Sequence, residues 1–131
     1  MFLNQKRREE SKMKIVLCCA GGFSTTMLMD SMKRVVKESK KLDENDFEFK
    51  AIPVDLLQAE VEDTDALVVG PQIAHKIDYI KPIIEPHNIP YVIVDKDTYG
   101  KMDGATVMKM VFIAKKKAEM NKEFKKERFY V

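Results

Sequence analysis

Cysteine is scarce in this chain, two residues in 131, and the two are neighbours, Cys18 and Cys19. Adjacent cysteines do not suit disulfide geometry, so no covalent framework is expected and a reducing, intracellular setting is favoured. No apolar run approaches the roughly 20 residues that a bilayer-spanning helix needs. Residues 1–12 are polar and charged and lack the apolar core of a secretory signal. The net charge of +2 leaves no concentrated basic face, so no nucleic-acid partner is expected. Histidine occurs only at His75 and His87, neither at metal-ligand spacing from a cysteine or carboxylate. No metal and no cofactor are therefore expected. Internal repeats and low-complexity tracts are missing as well.

What remains describes an ordinary soluble domain. A chain of 131 residues, 45% hydrophobic and 34% charged, can bury a core of its own. Met13-Lys14-Ile15 reads as a natural domain start. Residues 1–12 then form a polar extension, 13–120 the domain and 121–131 a basic tail. Charge is unevenly spread. Between Leu42 and Asp65, the carboxylates Asp43, Glu44, Asp46, Glu48, Asp55, Glu60, Glu62, Asp63 and Asp65 stand against Lys50 alone. From Lys115 to the end, basic residues outnumber glutamates. Solvated faces explain both patches; steering of a partner protein or contact with an anionic membrane surface is the sharper alternative.

Strand and helix patterns alternate. Ile15 to Cys18 is a short continuous apolar run, as in a central parallel strand covered on both faces. Leu28, Met32, Val35 and Val36 make one stripe of a following helix, which Ser24 can cap. Phe47, Phe49 and Ala51 alternate with Glu48 and Lys50, an edge-strand pattern. A short helix is predicted over Val54 to Glu60. Ala66 to Val69 is a second central strand, after which Gly70-Pro71 opens a helix carrying Ile73, Ile77, Ile80 and Ile84, with Pro82 expected to end or kink it. Tyr91 to Val94 is a fourth strand, and Gly104 leads into a long helix with Met108, Val111, Phe112 and Lys115 at helical intervals. The alternation predicts an α/β fold: an open four-stranded parallel sheet in the order 2-1-3-4, helices on both faces, flavodoxin-like. Ligands in such sheets bind at the carboxyl ends of the strands where the order reverses. Cys19 and Gly70-Pro71-Gln72 fall side by side there.

The loop after the first strand carries the chemistry. Gly21 and Gly22 let the backbone curl so that successive N–H groups converge, and Ser24, Thr25 and Thr26 add hydroxyls. The positive end of the next helix adds attraction for an anion. Such a nest suits a phosphoryl group of about −1.5 to −2 charges, and the same donors favour a nucleophilic thiolate at Cys19. A buried strand-end cysteine before a tight turn is the plain alternative for the loop alone. Cys18, last in the apolar run, reads as a small core hydrophobe. Cysteine phosphatases place arginine six residues after the thiolate to grip the phosphoryl oxygens; here that position is Thr25. Hydrolysis should therefore be slow, which favours a carrier over a low-molecular-weight phosphatase-like enzyme. A redox pair lacks the two-residue spacer of thioredoxin-type sites. A non-catalytic, anion-binding flavodoxin-like module lacks aromatic residues near the loop beyond Phe23. Asp95 and Asp97, after the fourth strand, read as turn-formers rather than a general acid.

The stretch from Cys19 to Leu28, Cys-Ala-Gly-Gly-Phe-Ser-Thr-Thr-Met-Leu, resembles the phosphorylation loop of IIB components of the phosphoenolpyruvate:sugar phosphotransferase system (PTS), lactose/cellobiose class. Gly70-Pro71-Gln72-Ile73 and Tyr99-Gly100-Lys101-Met102-Asp103-Gly104 match as well, so the resemblance runs from about Met13 to Met120. Phe23 and Thr26 stand where methionine and serine are frequent. The resemblance implies a cytoplasmic phosphotransferase visiting the inner face of the plasma membrane. Cys19 would accept a phosphoryl group from a phosphohistidine on the IIA component. It would pass the group to a β-linked disaccharide or β-glucoside (cellobiose, lactose, chitobiose) held by the membrane transporter IIC. Ala20, Gly21, Gly22, Phe23, Ser24, Thr25 and Thr26 would cradle the phosphate, with Gln72 and Tyr99 as further contacts to phosphate or partner or, on the plainer reading, Gln72 as a helix cap and Tyr99 as filling for a loop. A monomer suits such a shuttle.

Overall fold

A computed structural model describes residues 12–20 and 23–129, with side chains placed over 12–20 and 25–121. Most of the expected N-terminal extension, Gly21 and Gly22 of the loop, the side chains of Phe23 and Ser24, and those of the basic tail from 122 on lie outside the described residues. The strands are β1 (Met13–Cys19), β2 (Phe47–Pro53), β3 (Ala66–Val69) and β4 (Tyr91–Ile93). All neighbours pair in parallel, in the order β2-β1-β3-β4. The helices are α1 (Phe23–Glu38), α2 (Leu57–Glu60), α3 (Ile77–Ile84), α4 (Lys96–Gly100) and α5 (Gly104–Phe129).

Side-chain alternation along β1 and β3 divides the core in two. Ile15, Leu17, Ala66 and Val68 face one way, against Leu28, Met32 and Val36 of α1 and Val107, Met108 and Val111 of α5. Val16, Cys18, Leu67 and Val69 face the other way, against Leu57, Ile73, Ile80 and Ile84. Continuous apolar runs arise because both faces of a central strand are covered. Burying each Leu or Ile contributes about 1.5–3 kcal/mol, so the two layers fix the sheet order. β2 lies at the edge and shows it: Glu48 and Lys50 are exposed, whereas Phe47 stacks on Phe49 and meets Phe112 of α5 edge-on.

Several elements depart in detail from the sequence pattern. The segment after Gly70-Pro71 begins as a 3₁₀ turn (Pro71–Lys76), with Ile73 at φ −122°, before α3 becomes regular. Pro82 lies inside α3, which ends two residues later; Pro82 and Asp78 are both exposed, so solvent can reach the carbonyl that the missing N–H leaves. The short helix after β2 continues as a 3₁₀ turn through Asp63. α5 runs unbroken past Met120 to Phe129, so no change of element marks the start of the basic tail.

Lys14 is the polar exception within β1, only 8% exposed. Its ammonium pairs with Glu60 Oε2 at 3.0 Å, and Lys50 holds Oε1 at 2.6 Å. Hydrogen bonds from Lys50 and then Lys14 keep the Glu60 carboxyl below the ordinary glutamate range. Glu60→Gln should lower stability at neutral pH by about 1–3 kcal/mol, mainly by leaving Lys14 without a charged partner; the exposed Lys50 adds little. A carboxyl whose pKa falls on folding stabilises the native state above its unfolded pKa, about 4.3, and that contribution disappears as the pH drops through the folded value. Thermal melts of wild type and variant should therefore differ at pH 7 and converge below about pH 4. A gap that stays constant down to pH 3 would refute the assignment.

Candidate functional site

β1 delivers Cys19 as its last residue, opposite Pro53 of β2, one residue beyond the end of the apolar run. Cys19 is 7% exposed, and its thiol donates to the Ile52 carbonyl at 3.7 Å. A thiolate or phosphorylated sulfur has no proton to donate, so either must turn away from that carbonyl. Cys18 lies on the opposite face, fully buried among Val16, Ile52 and Leu57. Burial, followed by the neighbouring Cys19 and Asp55 charges, pushes its pKa up to about 12. The two sulfurs thus stand in unlike surroundings, on opposite faces of β1.

From β1 the chain passes through Ala20 and enters α1 at Phe23. Phe23, Ser24, Thr25 and Thr26, read from sequence as loop, form the first turn of α1. Ser24 is inside the helix instead of capping it, because Phe23 is already helical. A first turn still offers N–H groups without intrahelical partners, together with the positive end of a 16-residue helix. Thr26 is exposed. Thr25 is 4% exposed, and its Oγ1 lies 3.3 Å from the Tyr99 hydroxyl. That link joins residues 74 apart and has no local sequence signal.

The other wall of the crevice is the exit of β3. The Gly70 amide donates to the Cys18 carbonyl at 3.1 Å, extending the sheet pairing beyond Val69. Gln72 is exposed and folds back over Gly70: its Oε1 lies 2.8 Å from where a Cβ on Gly70 would sit. The Tyr99 ring comes within 3.8 Å of the same point. The absent side chain at Gly70 therefore gives Gln72 and Tyr99 room to converge beside the end of β1.

Tyr99 is not in an irregular loop but in α4, which Asp95 caps by accepting the Thr98 amide at 3.0 Å and the Thr98 hydroxyl at 2.7 Å. Those two bonds hold the Asp95 carboxyl below its ordinary range. Asp97 pairs with Lys101 on the surface at 3.1 Å. Both aspartates thus have local structural partners. His75 and His87 are exposed. Among the described residues no group of three His, Cys, Asp or Glu side chains converges to hold a metal ion, and no helix is long and apolar enough to cross a membrane. A groove of about 710 Å³, lined by Asp65, His87, Tyr91 and Lys115 among others, opens at the opposite ends of the strands. It contains neither cysteine.

A parallel sheet of this order, with a cysteine at the switch point before a helix N-terminus, defines an α/β domain of flavodoxin-like class. The family model "PTS system, Lactose/Cellobiose specific IIB subunit" matches residues 14–110, and the chain belongs to that family. It is therefore a phosphotransferase component of sugar transport, of a kind that works with IIA and IIC partners.

The oligo-β-mannoside-specific EIIB component of Bacillus subtilis (strain 168) is 28% identical over 91 residues, 70% of this chain and 84% of that protein. The galactose-specific EIIB component of Lactococcus lactis subsp. cremoris (strain MG1363) is 29% identical over 96 residues, 72% of this chain and 88% of that one. Among solved structures, the cellobiose-specific IIB component of Borrelia burgdorferi superposes with a TM-score of 0.66 at 28% identity, covering 82% of this chain and 94% of that one. The lactose-specific IIB domain of Streptococcus pneumoniae gives 0.68 at 13% identity, covering 79% and 97%, a likeness of fold.

Proposed function

We propose that Cys19 is the phosphoryl-carrying residue. The observation that supports it most is the inequivalence of the two thiols. Cys19 ends a central strand in front of the N-terminus of α1, whereas Cys18 is sealed in the opposite core layer. In the forward step the Cys19 thiolate attacks the phosphorus of a phosphohistidine on IIA. The P–S bond forms, the P–N bond breaks, and the imidazole leaves with the electron pair. In the second step a hydroxyl of the sugar held by IIC attacks phosphorus and releases its proton to solvent, the P–O bond forms, the P–S bond breaks, and the thiolate leaves with the electron pair.

The protein's part is positioning and charge stabilisation. Backbone N–H groups from Ala20 to Thr26 cradle the phosphoryl oxygens, and exposed Gln72 meets the phosphate or the partner. Water is a poor competitor because Thr25 stands where phosphatases carry arginine and turns its hydroxyl to Tyr99. The sugar is a β-linked disaccharide or β-glucoside: the cellobiose-specific relative fits that class and the oligo-β-mannoside-specific one shares its β-linkage, whereas the galactose-specific relative is named for a monosaccharide. The carrier domain is residues 13–120, with 1–12 and 121–131 as additions. It acts as a monomer in the cytoplasm and reaches the membrane only through IIC.

Mixing the protein with phosphorylated IIA should raise its intact mass by about 80 Da, one phosphoryl group. Peptide mapping should place the added mass on Cys19. No mass gain, or a gain mapped to another residue, would overturn the proposal.

A further inference from the structure

Thr25 and Tyr99 are 4% and 6% exposed, and their hydroxyl oxygens lie 3.3 Å apart. The Tyr99 ring also packs beside Gly70 at the exit of β3. One side chain thus spans both walls of the crevice, from the first turn of α1 to the strand next to β1. A second tie lies further along α1. Ser31 Oγ donates to the Met102 carbonyl at 2.7 Å and accepts the Gly104 amide at 3.1 Å. Helix α1 is therefore anchored at two points to the segment from α4 to the start of α5. A helix moves as a rod, so these anchors fix where its N-terminal amides stand relative to Cys19. Electrostatic stabilisation by such amides falls off within the first turn, and small displacements of α1 should be felt at the sulfur.

We propose that Thr25 and Tyr99 form a positioning pair for the reaction at Cys19. Their hydroxyl–hydroxyl bond holds the N-terminus of α1 against the sulfur, and neither hydroxyl touches the phosphoryl group. The proposal rests on Cys19 being the carrier. It assigns the Thr25 side chain a supporting task and leaves only its backbone amide in the cradle.

The test is steady-state transfer from phosphorylated IIA, run well below the melting temperature of every variant. Tyr99→Phe and Thr25→Val should each lower kcat about tenfold, the scale of one lost hydrogen bond, with KM for phosphorylated IIA unchanged. The double variant should be no slower than either single one, and Thr25→Ser should restore the wild-type rate. Additive losses would mean two independent phosphate contacts and overturn the pairing. A raised KM at constant kcat would mean a partner contact and also overturn it, as would unchanged kinetics. Alkylation of Cys19 by iodoacetamide, without IIA, separates this inference from the one beneath it. If wild type is not phosphorylated the carrier reading fails, but alkylation should still slow about tenfold in both single variants as the N-terminus of α1 shifts relative to the attacking sulfur. Unchanged alkylation overturns the positioning role.

Discussion

Cys19→Ser should gain no phosphoryl mass from phosphorylated IIA, whereas Cys18→Ser should gain it at close to the wild-type rate. A hydroxyl in place of the thiol keeps the size of the nucleophile but not its ionisation, and among the described residues the Cys19 sulfur is hydrogen-bonded to the Ile52 carbonyl, not to a side chain that could act as a general base for serine. Transfer should therefore fall by at least about a thousandfold. Cys18 cannot take over. With its pKa near 12, fewer than about one Cys18 in ten thousand is thiolate at pH 7.5. It also faces the layer built by Leu57, Ile73 and Ile80, on the other side of the strand. Cys18→Ser carries a stability cost from burying a hydroxyl, about 1–3 kcal/mol, so transfer is compared well below its melting temperature, with Cys18→Ala as a second control. Loss of labelling in both Cys18 variants, with retention in Cys19→Ser, would exchange the roles assigned to the two sulfurs.

The position of Cys19, at the end of β1 and before α1, was legible in sequence because it depends on local information: an apolar run, two glycines and the start of a helical stripe. The order of the sheet was legible for a similar reason, since residues 15–18 of β1 and all of β3 are apolar while β2 alternates. What escaped depends on pairs distant in sequence. Thr25 reads as a loop hydroxyl until Tyr99, 74 residues later, is seen beside it. Lys14 interrupts an apolar run without comment until Glu60 is found against its ammonium. α4 was missed because five residues are too few for a period to emerge, although its cap, Asp95, was recognised as a turn-former. The acidic stretch before β3 reads as a solvated face, and Asp63 is indeed exposed, yet Glu60 and Asp65 within it bond to Lys14.

Gly104 hides a close approach of α5 to α1 behind the appearance of a helix start. Gly104→Ala should destabilise the protein by about 2–4 kcal/mol, at or beyond the upper end of typical overpacking. A Cβ there would lie 2.6 Å from Met32 N, Ser31 C and Ser31 Oγ. Two of those atoms are backbone of α1, so no rotamer change relieves the clash and α1 and α5 must separate. Separation would also stretch the Ser31 bonds to Met102 and Gly104 and loosen Met32 and Met108 in the layer below. Helix propensity works in the opposite direction, favouring alanine by up to about 1 kcal/mol, and the steric term should exceed it. Gly100 supplies the contrast. It is exposed within α4, and a Cβ there meets nothing within 4 Å. Gly100→Ala should therefore be neutral or stabilising by about 0.4–1 kcal/mol. Urea denaturation of the two variants beside wild type decides the matter: midpoints moving in opposite directions support close helix contact as the reason for glycine at 104, and a Gly104→Ala midpoint equal to wild type refutes it.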